Sequence, residues 1–214
     1  RTLGLRVDDR GVRVGAPLAL PLRDVEGFLR QHADWLLDRL ARRSARPAPL
    51  FFRVEEGASL PVFGEAVILR LDHGLRRHRW APHPAGGEAL ILPALEPERV
   101  LVKALEARAL PWFRERVAEH CARLGLSVPT VRLTRARTRW GSCSRLSGIR
   151  LHWRLVHLAP DLSDYVVAHE VAHLREMNHS PRFWGVVESL CPDWQRARRE
   201  LRRVAPGLPL IVES

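Results

Sequence analysis

The segment from Asp164 to His179, DYVVAHEVAHLREMNH, constrains this chain more than any other, because it asks for a buried helix that carries polar chemistry. At about 100° per residue, Val166, Val167, Val171, Leu174 and Met177 cover a wide apolar arc, with Asp164 and Arg175 opposite. A helix of this kind must pack into a core, and packing holds side-chain rotamers still. His169 and His173 stand four positions apart, so both imidazoles lie on one face and can point at a single cation. Glu170 projects from nearly the same side, within reach of a water held by that cation without being a ligand itself. Either histidine alone would read as an ordinary polar residue on a half-exposed helix. The complete H-E-x-x-H spacing points to zinc.

A catalytic zinc takes three protein ligands and keeps one position for water. His179 is the expected third ligand. Six residues rotate it about 240° from His173 if the helix continues, so the chain must break after Met177 and fold back. Asn178 tolerates the left-handed conformation such a break uses. Ser180-Pro181 then starts a new helix in the cap-then-proline order. Glu188 on that next helix is the competing third ligand, as in sites built from two histidines and a glutamate. Imidazole and the visible turn chemistry favour His179.

These ligands predict hydrolysis. Zinc acidifies its water and polarises a scissile carbonyl, while Glu170 accepts the proton and passes it to the leaving amine. A developing oxyanion needs a further donor, and Tyr165, His152 and His157 are candidates. The loop Arg139-Trp140-Gly141-Ser142-Cys143 precedes a strand expected over Ile149–Val156. Its period-two pattern puts Ile149, Leu151, Trp153 and Leu155 toward a core and Arg150, His152 and Arg154 away from it. As an edge strand beside the zinc helix it would pair with an extended peptide; Gly141 would let the loop backbone approach closely, and Trp140 and Gly141 are candidate substrate-binding residues. Cys143 opens a rival, a cysteine hydrolase, but no base stands beside it as His169 stands beside His173.

The rest of the chain reads as two regions. Residues 1–95 are expected to be β-rich with one helix, and residues 96–214 to form the catalytic domain. A hairpin turns near Asp8-Asp9-Arg10-Gly11, a helix follows from Leu22 to about Arg43, and Ser44–Pro49 is a linker. Strands through Leu60, Val62 and Val67–Leu71 turn at Gly64-Glu65, residues 81–88 form a loop, and Ala89–Leu92 a short strand. A helix from near Glu96 stops at Gly125, Val131–Thr134 is a strand, and the zinc helix runs from about Leu162 with Asp161 as its N-cap. With 46% apolar residues the 214-residue chain can bury a substantial core. No run reaches the roughly 18 apolar residues of a membrane span, and no basic-then-apolar leader opens the sequence. Cys121, Cys143 and Cys191 are too few and too scattered for a disulfide framework, so a cytoplasmic location is expected. The net charge is +11. DNA or another polyanion is one explanation; the other is arginine bias, since Lys103 is the one lysine among the 35 basic residues.

The segments Arg139–Ser144, Ile149–Leu155, Asp164–Trp184 and Cys191-Pro-Asp-Trp194 together resemble the YgjP-like metallopeptidase family, a relative of the SprT-like and WLM zinc peptidases. The front half is similar more loosely, through its hairpin, the helix around Trp35 and the stretch at Phe63-Gly64. The resemblance implies an α+β, zincin-like fold, helices packed on a small mixed sheet. It implies that His169, His173 and His179 hold the zinc with Glu170 as base; one zinc ion per chain and a protein or peptide substrate are expected from the site and the strand beside it. Val171 stands where the family often has Leu. SprT-like relatives act on proteins attached to DNA, with which the basic charge is compatible. The contrasting expectation is a nucleic-acid-associated protein whose zinc is structural; such a site would be closed by a fourth ligand and would have no use for a base.

Overall fold

The computed structural model describes residues 3–8, 11–17, 19–44, 51–136 and 138–212. The chain divides into two compact units, Arg1–Ala48 and Pro49–Ser214. In the first, β1 (Gly4–Asp8) and β2 (Gly11–Gly15) form the expected antiparallel hairpin, closing at Asp8 opposite Gly11. The single helix expected from Leu22 is instead two, α1 (Leu22–Gln31) and α2 (Ala33–Ser44). His32 separates them: its φ of −109° leaves the helical region, and its ring Nδ1 sits 2.9 Å from the Phe28 carbonyl oxygen. Apolar periodicity passes through this break unchanged, so sequence spacing alone does not reveal it. The linker ends at Pro49, and its residues 45–49 lie outside the described residues.

The second unit is α+β. Its first sheet has the order β3-β4-β6-β5, from β3 (Ser59–Val62), β4 (Glu65–Asp72), β5 (Arg79–Pro82) and β6 (Glu88–Pro93). β3 and β4 turn at Phe63-Gly64, both with positive φ, which glycine tolerates and phenylalanine rarely adopts. β4 and β6 are parallel, while β5 pairs antiparallel with β6 and claims part of the loop expected over residues 81–88. The long α3 (Pro97–Leu124) ends at Gly125, whose φ of 65° and N–H bonded to the Ala122 and Cys121 carbonyls make the expected left-handed stop.

A second sheet has the order β7-β9-β8, from β7 (Val131–Thr134), β8 (Gly141–Ser144) and β9 (Gly148–His152). β9 corrects the expectation of a long edge strand. It is the central strand, parallel to β7 and antiparallel to β8, and it stops at His152. There His152 Nδ1 accepts the Arg154 backbone N–H and the chain enters a 3-10 turn, Trp153–His157. Three helices follow, α4 (Pro160–Ala172), α5 (Pro181–Leu190) and α6 (Trp194–Val204).

One apolar core joins these parts. Leu60, Leu69, Leu90 and Leu92 of the first sheet pack in the same cluster as Leu101 and Phe113 of α3, Ile149 and Leu151 of β9, and Val167 and Phe183 of α4 and α5. Residues on both sides of position 95 share this core, and the division between compact units lies at 48/49. The first sheet also bonds to the segment before α4: Phe63 N–H donates to the Val156 carbonyl, and His157 Nδ1 to that of Pro61 at 2.8 Å. Among the described residues no helix is long and apolar enough to cross a membrane.

Candidate metal centre

Val167, Ala168, Val171 and Ala172 of α4 are fully buried, as a helix that must hold polar groups rigidly requires. Its start differs from expectation. Pro160 begins the helix after Ala159, and Asp161 is not a cap but an exposed partner of Arg196 at 3.1 Å. Asp164, expected opposite the apolar arc, is drawn between α3 and α4. It accepts from Arg116 Nε and Nη2 at 2.7 and 3.1 Å and lies 2.8 Å from Nε2 of the fully buried His120. Burial would raise its pKa, yet these two partners hold the carboxyl below its ordinary value.

The helix ends at Ala172, earlier than expected, and His173 occupies its C-cap. A non-helical stretch then leads to Ser180, whose hydroxyl accepts the Phe183 N–H as the N-cap of α5, with Pro181 next. This path brings His179 back to α4. Ring centroids of His169, His173 and His179 lie 5.0, 5.1 and 4.8 Å apart, and one nitrogen from each falls within 4.8 Å of the others. Nε2 of His169 and Nε2 of His179 are 3.2 Å apart. Two zinc–nitrogen bonds of about 2.0–2.1 Å at a tetrahedral angle span roughly 3.4 Å, so this donor set fits a zinc ion. His173 Nδ1 lies 3.0 Å from the Glu176 carbonyl oxygen; donating there leaves Nε2 with a lone pair for metal. Nδ1 of His169 is buried without a partner among the described residues.

Burial pushes the His169 pKa down to about 4, with the charges of His173, His179 and Arg198 adding to it, and burial lowers that of His173 as well. Both are thus held neutral, the form that binds metal. Glu170 is 6% exposed. Burial raises its pKa to about 7, opposed by the charge of Arg139. That value belongs to the metal-free chain, and a dication in the triangle would favour the carboxylate.

The three histidines and Glu170 line an open cleft of 300 Å³, bordered across from α4 by Gly141, Ser142 and Cys143 of β8, with the half-exposed Met177 at its rim. The edge strand beside the site is therefore β8, not the strand from Ile149. Gly141 is where the backbone must come close: a Cβ there would lie 2.6 Å from Glu170 Cγ and Oε1. A larger hollow of 390 Å³ on the first sheet, lined by Arg70, His73, His83 and Ile91 among others, contains none of the expected site residues.

Of the residues expected to bind substrate or the oxyanion, Gly141 lines the cleft and Tyr165, Trp140, His152 and His157 do not. Tyr165 is buried with its ring 6.3 Å from that of His169, and Trp140 packs edge-on to His152 at 5.5 Å. His152 and His157 are buried, and burial pushes each down to about 4. Glu188 is exposed on α5 and does not join the histidine cluster. Cys143 borders the cleft, but burial, reinforced by the Glu170 charge, pushes its thiol up to about 11, the opposite of an activated nucleophile. Sequence reasoning missed Ser142 and Met177 as cleft residues. Met177 had been placed in the apolar arc, and only the early end of α4 turns it outward.

A histidine triangle with a buried carboxylate, opening onto a cleft beside an α+β core, is an arrangement suited to metal-dependent hydrolysis. The sequence profile of the YgjP-like metallopeptidase domain matches residues 1–204, and the chain belongs to that family. No curated protein matches it. Among solved structures, the metallopeptidase zymogen abylysin of Pyrococcus abyssi matches 45% of this chain and 98% of its own, at 22% identity and a TM-score of 0.40. The zymogen jannalysin of Methanocaldococcus jannaschii matches 43% of this chain and 96% of its own, at 17% identity and a TM-score of 0.36.

Proposed function

We propose that the chain is a zinc endopeptidase in which His169, His173 and His179 hold one zinc ion and Glu170 is the general base. The observation that carries this reading is the convergence of three imidazoles, two of them with nitrogens 3.2 Å apart, on a cleft that Glu170 also lines. When bound, the zinc polarises the scissile carbonyl and acidifies a water toward neutrality. Glu170 takes the proton from the attacking water on its carboxylate and returns it to the leaving amine nitrogen as the C–N bond breaks. Its low exposure keeps that proton from bulk solvent between the two transfers.

β8 presents the substrate side. It pairs with β9 along one edge and, among the described residues, with no strand along the other. An extended peptide can lie against that edge through main-chain hydrogen bonds, which favours unfolded segments over particular side chains. A structural zinc would need a fourth protein ligand, and among the described residues no fourth His, Cys, Asp or Glu joins the three. The arginine surplus does not favour a nucleic-acid reading over this one, because net charge attracts polyanions in general and identifies no partner.

The test is a pair of measurements. Metal analysis of the wild-type protein should return about one zinc per chain. Glu170→Gln should retain that zinc and lose hydrolysis of an unfolded protein substrate. A Glu170→Gln protein as active as wild type, or a wild-type protein that takes up no metal, would sink the proposal.

A further inference from the structure

His169 and His173 are carried by α4, but His179 stands on a non-helical stretch and is the exposed member of the cluster. Among the described residues its one hydrogen-bonding contact is the Nε2 of His169, which a bound metal would replace. Its ring nonetheless has a bed. Trp184 stacks with it at 5.9 Å and an interplanar angle of 26°, and the fully buried Phe183 meets it edge-on at 4.7 Å. Trp184 is itself held from a different helix: Trp194 stacks on it at 4.3 Å and 19°, and the Arg198 guanidinium lies 4.9 Å from its ring centroid. Trp194 and Arg198 are four apart on α6, so both reach Trp184 from one helical face. Stacking and cation–π contact restrict a ring without using its nitrogens. This leaves both nitrogens of His179 open for coordination.

We propose that Trp184, clamped by Trp194 and Arg198, is a positioning residue that holds the His179 ring in its metal-binding orientation. The inference rests on the reading of the three histidines as a metal site. An exposed imidazole that must be ordered at the moment of coordination weakens the metal; one ordered beforehand does not. The stack thus does for His179 what the Glu176 carbonyl does for His173.

The measurement is metal affinity, by competition of Zn²⁺ against a chromophoric chelator, together with the visible spectrum of the Co²⁺-loaded protein. Trp184→Ala should weaken binding roughly 10-fold and alter the Co²⁺ spectrum, while Trp184→Phe, which keeps a ring to stack on, should restore most of both. In a His179→Ala background the same Trp184→Ala change should weaken binding by less than about 2-fold, because its effect passes through His179. Trp194→Ala, one step further out, should show a smaller loss with the same dependence on His179, and it serves if Trp184→Ala does not fold. Unchanged affinity in both tryptophan variants, or an equal loss with and without His179, would overturn the role of Trp184 alone. A wild-type protein without affinity for Zn²⁺ would overturn the metal site as well.

Discussion

Gly141→Ala tests the site most directly, because the added atom has one place to go and it is occupied. The new Cβ would sit 2.6 Å from Glu170 Cγ and Oε1 and 2.8 Å from Cδ. Ordinary contact begins at 3.4 Å, so β8 or the carboxylate must yield by 0.8 Å (3.4 − 2.6). Neither has slack. Glu170 is 6% exposed, and the turns of α4 around it are anchored by the fully buried Val167, Ala168 and Val171. Overpacking of this size costs about 1–3 kcal/mol, and moving a catalytic group by nearly 1 Å costs on the order of 100-fold in rate. Zinc content should stay near one per chain, because the three histidines are untouched. Urea unfolding, kcat/KM on an unfolded protein and metal analysis read the three effects separately. Glu170→Ala removes Cγ, Cδ and Oε1, the three atoms the new Cβ would meet. In that background Gly141→Ala should cost little stability, under about 0.5 kcal/mol. Equal costs in the two backgrounds, or full activity in Gly141→Ala, would refute the claim that this glycine makes room for the base.

Asp164→Ala leaves the buried His120 without its carboxylate and Arg116 paired with Glu119. It should destabilise the protein by about 2–3 kcal/mol, toward the lower end for breaking a buried pair because Asp164 is 20% exposed, and urea unfolding measures it. Stability of the metal-free protein should fall with acid. His152 and His157 fold with pKa values near 4, below the usual 6.5, so the unfolded chain takes up their protons first. Their contribution is complete above pH 6.5 and is lost as pH falls toward 4, at up to about 1.4 kcal/mol per pH unit for each. His157→Asn, which keeps a donor toward Pro61, should flatten the slope of the urea midpoint against pH, and an unaltered slope would count against this. Cys143→Ala should keep peptidase activity within about 3-fold, since its thiol is held protonated; a loss comparable to that of Glu170→Gln would revive the cysteine hydrolase.

Much of the molecule was legible because its signals are local. Gly125 ends α3 by adopting a conformation that costs other residues more, and Ser180-Pro181 begins α5 through one hydroxyl and one fixed φ. Errors came where a neighbour outbids a local preference. Asp161 looks like an N-cap and Asp164 like a residue facing away from the core, yet Arg196 claims the first and Arg116 with His120 the second. Alternation through Leu155 looks like one long strand, yet His152 bonds back to Arg154 and the chain turns beneath the first sheet. Tyr165 and His152 are suitable donors by type, but both face into packing rather than the cleft.

The sequence by itself determined that His169 and His173 share one helical face with Glu170 beside them, and that the helix cannot run on through His179. Both follow from the helical repeat and from the backbone preferences of a few residues. Tertiary structure alone decided that His179 returns to within 3.2 Å of His169 on an aromatic bed supplied by α5 and α6. It also decided that β8, rather than β9, borders the cleft, and that the Gly141 backbone lies close against the Glu170 side chain. The fold-back of His179 was foreshadowed by its turn residues, but where it lands, what α6 lays beneath it and which strand faces α4 depend on which surfaces a shared core can bury together, and no spacing within one segment encodes that.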